Sequence, residues 1–319
     1  MAAGKSSQAD REIVITRILH APRELVWEAW TDPKHTDRWM GPRGFATQTK
    51  EMSAKPGGAW RYTMRHTEHG EFQNKITYLE VVKPERLVYD HGADDGGEPH
   101  FRVTVTFKDL GGKTELQMRS VFPTAAARDK VVKEYNAIEG GNQTVDRLEE
   151  HLARSAMEEF AITRTLDASR DLVWKAFTES ERMAKWWGPK GFVVRVSKMD
   201  LRPGGTYHFC LSGPNNTEMW GRFVFREIVK LERLVYISSF SDEKGGVTRP
   251  PFSEPWPPEI LSTFTFEERG GKTAVTIRSV PFRATEEERK TFDAGRKSMT
   301  QGWTGTFEKL AGYLAEARS

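Results

Sequence analysis

ITRILHAPRELVWEAWTDPKHTDRWMGPRGF, residues 15–45, returns as ITRTLDASRDLVWKAFTESERMAKWWGPKGF at residues 162–192. The two stretches align without a gap at an offset of 147, and Arg17/Arg164, Trp27/Trp174, Thr31/Thr178, Trp39/Trp186 and the following Gly-Pro pairs are identical. The offset persists outward. Pro56-Gly57-Gly58 reappears as Pro203-Gly204-Gly205, and ERLVY at 85–89 reappears at 232–236. Self-similarity at a fixed period outranks any local motif, and a period this long is a whole domain rather than a solenoid unit. The chain therefore reads as a tandem duplication, with one domain over residues 10–154 and a second over 158–317.

The length of 319 residues agrees with two ordinary domains, each able to bury a core without staples. The composition, 37% hydrophobic and 29% charged, is that of soluble globular protein. A net charge of +3 is too small to suggest a clustered basic face, so nucleic acid is not an expected partner. The one cysteine, Cys210, leaves no intrachain disulfide and fits a reducing compartment. No run reaches the ~20 apolar residues of a membrane span. The leading MAAGKSSQAD lacks the apolar core of a secretory signal. A cytoplasmic location is the expectation.

Within each copy the pattern predicts one architecture. Ile13, Ile15 and Leu19 alternate with Val14, Thr16 and Ile18 as in a strand. Pro22 and Glu24 open a helix with Leu25, Val26, Ala29 and Trp30 on one face, and a second short helix runs from Lys34 to Trp39. About six strands follow, with Gly-Gly-Lys-Thr turns at 111–114 and 270–273. A long closing helix carries Val131, Tyr135, Ile138, Val145, Leu148 and Leu152 in the first copy. In the second it carries Phe292, Met299, Trp303, Phe307, Leu310 and Leu314. The fold class is α+β: two tandem helix-grip domains, each a curved antiparallel sheet around its last helix.

These motifs, together with W-x-G-P, P-G-G-x-W and the Gly302-Trp303 helix, resemble the heat-shock-protein-90 ATPase activator homology domain. That domain belongs to the START-like, polyketide-cyclase-containing SRPBCC superfamily. The resemblance covers nearly the whole chain twice and implies a cavity between sheet and closing helix. It does not imply one activity, because the fold hosts binders, cyclases and hydrolases.

The copies differ where function is expected. Trp39-Met40 faces Trp186-Trp187, and Gly140-Gly141 faces Gly302-Trp303. The second copy carries 12 extra residues between Tyr236 and Phe266, within a proline-rich loop at 238–258 around Trp256. This loop is either a solvated connection or a lid or partner-contact loop anchored by Trp256. Glycine inside a helix costs about 1 kcal/mol relative to alanine, so Gly140 and Gly141 imply either close packing or room for a ligand.

Strand parity and the helix face nominate a ligand-binding wall: Trp39, Trp60, Tyr62, Phe72 and Tyr78 in the first domain, and Trp186, Tyr207, Phe209, Met219 and Trp303 in the second. Plain core is the competing explanation for the same faces. Arg17 and Arg164 share the parity of apolar neighbours and must pair, with a carboxylate of the chain or of a ligand. His66, Glu68 and His69 sit at a hairpin tip, where solvation explains them better than a metal. No catalytic motif is present, Cys210 faces away from the wall by parity, and no cofactor is expected.

The expected function is binding of a small hydrophobic or amphipathic molecule, chiefly in the second domain. Two alternatives stand beside it. One is a co-chaperone-like module that binds a chaperone or other protein. The other is an enzyme on a polyketide-like or aromatic substrate, which would require a convergent acid/base pair.

Overall fold

The computed structural model describes residues 8–250 and 255–318. It divides into two compact units, one ending at Ala156 and the next beginning at Met157. In the first, Glu12–Leu19 (β1) leads into helices Arg23–Thr31 (α1) and Pro33–Trp39 (α2). Six strands follow: Ala46–Met52 (β2), Ala59–His66 (β3), Gly70–Val82 (β4), Arg86–Ala93 (β5), Phe101–Asp109 (β6) and Thr114–Val121 (β7). Helices Ala125–Tyr135 (α3) and Ala137–Ser155 (α4) close it.

The second unit repeats the series. It comprises Phe160–Leu166 (β8), Arg170–Thr178 (α5), Ser180–Trp186 (α6), Val193–Met199 (β9), Thr206–Ser212 (β10), Glu218–Val229 (β11) and Arg233–Ser241 (β12). A short Val247–Thr248 (β13), then Glu259–Arg269 (β14), Lys272–Phe282 (β15), Glu286–Ala294 (α7) and Arg296–Arg318 (α8), complete it.

Each sheet is antiparallel throughout. The orders are β1-β7-β6-β5-β4-β3-β2 and β8-β15-β14-β12-β11-β10-β9, with β13 pairing β12. The register shifts between Tyr78 and Glu80 against β5, and between Phe225 and Glu227 against β12, which is the same place in the repeat. An extra residue bends the strand that carries it. Each sheet thus curves at a matching point, and its concave face holds α4 or α8. This is the helix-grip fold expected from the sequence.

Local chemistry explains much of the repeated sequence. Asp32 ends α1 and caps α2, its carboxylate accepting from Lys34 N at 2.8 Å. Gly41 and Gly44 adopt φ of +98° and +86°, and Gly188 and Gly191 adopt +96° and +87°, a region that β-carbons disfavour. The loops they form are held from the closing helix by a cation. One guanidinium nitrogen of Arg147 lies 2.7 Å from Gly41 O and 3.0 Å from Pro42 O and Phe45 O. Lys309 Nζ lies 3.1 Å from Gly188 O and 3.0 Å from Phe192 O. The Gly-Gly-Lys-Thr turns end in Thr114 and Thr273, which donate to Ala21 O and Ala168 O at 2.8 Å each. The identical glycines and threonines serve these ties in both copies, whereas the Asp32 cap is not repeated, because Glu179 makes no side-chain cap.

One expectation needs correction. The closing helix is not continuous in either unit. In the first it breaks at Asn136, whose φ of 49° and ψ of 44° are left-handed. Tyr135 and Ile138, assigned to its buried face, flank that break and are 69% and 44% exposed. In the second it breaks at Gly295, so Phe292 belongs to α7 and Met299 to α8. Apolar spacing carried across each short junction reads as one continuous helix.

Candidate functional site

The second unit has an open-mouthed cavity of about 310 Å³ between the concave sheet and α8. Phe209 and Leu211 of β10, Met219 and Phe223 of β11, and Tyr236 and Ser238 of β12 form its floor. Ile260 and Ser262 of β14 extend that floor, and Met299, Gly302, Trp303 and Thr306 of α8 form the roof. Trp187, Gly188 and Pro189 close one side, and Trp256, Pro257 and Pro258 of the inserted loop stand at another.

The aromatic packing is dense. Trp187 meets Phe209, Phe223 and Trp303 edge-on at centroid distances of 6.0, 5.2 and 5.8 Å. Tyr236 stacks on Phe223 at 4.1 Å. Gly221 explains how room remains. A β-carbon there would lie 2.5 Å from the Phe209 ring, so glycine lets that ring lie back against β11. The repeat places Asn74 at this position in the first unit.

The inserted loop is anchored beside the cavity. Trp256 packs on Phe292 at 5.6 Å, and a β-carbon at Gly295 would stand 2.8 Å from its ring. Arg249 donates to Trp256 O at 3.1 Å and to Glu288 at 2.8 Å. Burial pushes the Glu288 carboxyl up, but the Thr285 backbone N–H and the Arg249 guanidinium outweigh it and hold the carboxyl low. Part of the loop at 238–258, residues 251–254, lies outside the described residues.

Three of the ten expected wall residues line this cavity: Phe209, Met219 and Trp303. Trp186 and Tyr207 do not. The Trp186 indole N–H donates to Ala176 O at 3.0 Å and its ring packs on Phe177, which makes it a peg between α5 and α6. The Tyr207 hydroxyl accepts from Ser197 Oγ at 3.2 Å, and burial pushes it up to about 12. The expected wall omitted Trp187, Phe223 and Tyr236, although Phe223 shares the strand parity of Met219. The signal was available, since Trp187 faces Met40 in the repeat and Phe223 faces Ile76.

Four of the five first-unit candidates are core. Trp39 repeats the Trp186 contact, donating to Ala29 O at 2.9 Å. Trp60 donates to Thr49 Oγ1 at 3.0 Å and stacks on Tyr62 at 4.2 Å. Tyr78 is buried against Tyr89. Phe72 is a correction of another kind: it is 45% exposed, near the start of β4 beside Phe45. The places matching the second-unit cavity are filled. Tyr62 Oη meets His91 Nε2 at 3.0 Å, and His91 stacks on Phe101 at 4.8 Å. A β-carbon at Gly141 would be 2.4 Å from Ile15 Cδ1, so this glycine serves close packing and not a ligand.

The remaining candidates resolve structurally. Arg17 pairs with Asp146 at 2.5 Å and lies 3.6 Å from Glu149, while Arg164 donates to Thr304 at 3.2 Å. His66 accepts from the backbone of Glu68 at 3.1 Å. Among the described residues no group of three or more His, Cys, Asp or Glu is placed to hold a metal. Cys210 is buried on β10 but is not among the lining residues. Among the described residues the lining contains no carboxylate, imidazole, amine, guanidinium or thiol. It offers apolar contact, aromatic faces and hydroxyls.

The sequence profile of the family described as Activator of Hsp90 ATPase homolog 1-like protein matches residues 20–153 and again 167–315. No curated protein sequence matches. Among solved structures, a protein from Nitrosomonas europaea is 23% identical, covering 46% of this chain and 97% of its own, with a TM-score of 0.41. A protein from Chromobacterium violaceum is 27% identical over 44% of this chain and 96% of its own, at 0.39. The di-domain ARO/CYC BexL from the BE-7585A biosynthetic pathway is 13% identical over 95% of this chain and 98% of its own, at 0.44.

Proposed function

The chain belongs to the Activator of Hsp90 ATPase homolog 1-like family, and from that premise we propose that its second domain binds a small apolar or amphipathic molecule between β10–β12 and α8. The observation that supports this is the contrast between two copies of one fold. One keeps an aromatic-lined space of about 310 Å³, within the size range of small-molecule sites, and the other fills the matching positions with Tyr62, His91 and Phe101 and packs Ile15 against Gly141. A cytoplasmic setting belongs to the same proposal, supported by the single free cysteine. No helix of the described residues is long and apolar enough to cross a membrane.

Trp187, Trp303 and Trp256 line the space, so intrinsic fluorescence is a direct reporter. Native mass spectrometry of the purified protein should find a co-purified small molecule. A panel of apolar ligands should quench tryptophan emission saturably. Gly221→Asn places the first-domain residue behind Phe209, pushes that ring into the space, and should weaken binding at least ten-fold. Saturable quenching that is unchanged in Gly221→Asn would place the ligand elsewhere.

A second function is supported by a separate observation in the first domain. Its interior is packed, yet Phe72 and Phe45 form an aromatic pair at the surface, 6.0 Å apart. That combination suits a protein-interaction module of the co-chaperone type. Stimulation of ATP turnover by an Hsp90 chaperone, reduced by Phe72→Ser, is the expected result. No stimulation by the unaltered chain removes this function. The third expectation, catalysis on a polyketide-like or aromatic substrate, calls for an acid/base pair, and none stands among the described lining residues.

A further inference from the structure

We propose that the second-domain cavity selects an uncharged aromatic molecule carrying a hydrogen-bond acceptor, and that the Tyr236 hydroxyl is the group that reads the acceptor. The inference rests on the cavity being a binding site and adds the charge and polarity of what enters it.

Three of the hydroxyls that line the cavity lie along one strip of the floor, while Thr306 in the roof donates to Gly302 O at 3.0 Å. Tyr236 and Ser262 are directly opposed across β12 and β14, and Ser238 lies two residues further along β12, opposite Ile260. Residues two apart on a strand, and residues directly opposed across a ladder, share a face. The strip is therefore a short row of hydroxyls between aromatic walls.

Two of these hydroxyls are already engaged. Ser262 Oγ shares a hydrogen bond with Ser279 Oγ at 2.9 Å, and Ser238 Oγ points to Ile260 O at 3.4 Å. Tyr236 is different. It is buried, it lines the cavity, and its hydroxyl has no hydrogen-bond partner among the described residues. In the first unit the equivalent phenol, Tyr89, faces the indole of Trp30, although not at hydrogen-bonding geometry. The second unit has Phe177 where the first has Trp30, so that neighbour is lost. The Tyr236 hydroxyl is not among the sealed, unpartnered polar atoms, so it is reached from the cavity, and a ligand that displaces water from it must accept its hydrogen bond or leave it unsatisfied.

The walls set the charge. Among the described residues no basic side chain lines the space, and Lys309 of α8 is turned onto the carbonyls of Gly188, Pro189 and Phe192. A carboxylate entering here would lose its hydration without gaining a counter-charge, a heavy penalty for an unpaired ion. A ketone, phenol, amide or quinone loses far less, and the phenol of Tyr236 restores its hydrogen bond. The aromatic faces of Trp187, Phe223 and Trp303 complement a flat ring system.

Three naphthalenes of matched size test this by tryptophan quenching at pH 7.5: naphthalene, 2-acetylnaphthalene and 2-naphthoate. The ketone should bind at least ten-fold more tightly than the carboxylate and about three- to ten-fold more tightly than the hydrocarbon, the range expected for one net hydrogen bond. Tyr236→Phe should bring the ketone down to the hydrocarbon's affinity and leave the hydrocarbon within two-fold. Ser262→Ala, which leaves Tyr236 in place, should retain most of the ketone's advantage and serves as a second variant if Tyr236→Phe fails to fold. A carboxylate that binds as well as the ketone overturns the charge selectivity while leaving the binding site intact. An unchanged ketone-to-hydrocarbon ratio in Tyr236→Phe overturns the role of the hydroxyl. Failure of all three probes overturns the binding site itself.

Discussion

Gly141 and Gly302 look interchangeable in sequence, each within a closing helix and beside a critical position, yet their surroundings are opposite. At Gly141 a β-carbon collides with Ile15, whereas at Gly302 nothing lies within 4 Å. Gly141→Trp should therefore destabilise the first domain by about 2–4 kcal/mol through overpacking, read as a lower urea midpoint. Gly302→Ala should stabilise α8 by about 0.5–1 kcal/mol. Equal effects of the two changes would contradict this difference. Neither outcome was legible in the sequence, because a helical glycine reports only that a side chain is missing. Which atom fills the space depends on the long-range register that brings Ile15 under α4. His91 is a second residue whose role depends on such contacts. Burial, and then the neighbouring His100, push its imidazole down from 6.5 to about 4. A base whose folded-state value is depressed resists protonation only when folded. Stability is therefore level above pH 6.5 and falls as pH drops from 6.5 towards 4, each tenfold rise in proton concentration costing at most about 1.4 kcal/mol for one such group. His151, also lowered to about 4 by burial first and then by His35, adds to the same slope. His91→Phe should flatten the pH dependence of the denaturation midpoint between pH 7 and 5. A slope as steep in the variant as in the parent would exclude His91 as its source.

At the scale of elements, the loop after each second helix is shaped by its glycines and held by one cation from the closing helix. Arg147 and Lys309 serve matching carbonyls with different headgroups. Burial lowers the Lys309 pKa, which is the expected cost of tying an ammonium to neutral oxygens in place of water. Lys309→Met should leave those carbonyls without a donor and lower stability by about 1–3 kcal/mol. It should also loosen the Trp187–Pro189 wall and weaken ligand binding. Lys309→Arg should retain most of both, since arginine does this work in the first domain, and equal losses from both substitutions would refute the clamp. The fold itself was readable at this scale. Alternation set the strands, and the fixed offset of 147 residues paired the motifs of the first copy with those of the second as far as the inserted loop. What escaped was the break at Asn136, because an asparagine in left-handed conformation leaves the apolar spacing on either side undisturbed. The wall assignment failed for a related reason. Trp39 and Trp186 end a short helix whose indole contact, to Ala29 and Ala176, is a tertiary tie that no period reveals.

At the scale of the molecule, duplication separates what the fold requires from what one copy alone provides. Each unit buries its own cluster, which includes Trp30, Trp39 and Leu148 in the first and Phe177, Trp186 and Leu310 in the second. The matched ties lie in both, and the open space lies where Trp187, Gly221, Phe223 and Trp303 replace Met40, Asn74, Ile76 and Gly141. A ligand that binds only the folded second domain stabilises it by about 2.7 kcal/mol at a hundred-fold excess over its dissociation constant. Hydrogen exchange should register that gain locally. With 2-acetylnaphthalene bound, amides of β10, β11, β12, β14 and α8 should slow, while those of β3 to β7 and α4 keep their rates. Protection confined to the first domain would mean that its packed interior opens for the ligand, and would reverse the assignment of the binding domain. Equal protection in both would mean that the aromatic substitutions separating the copies do not decide where the ligand goes.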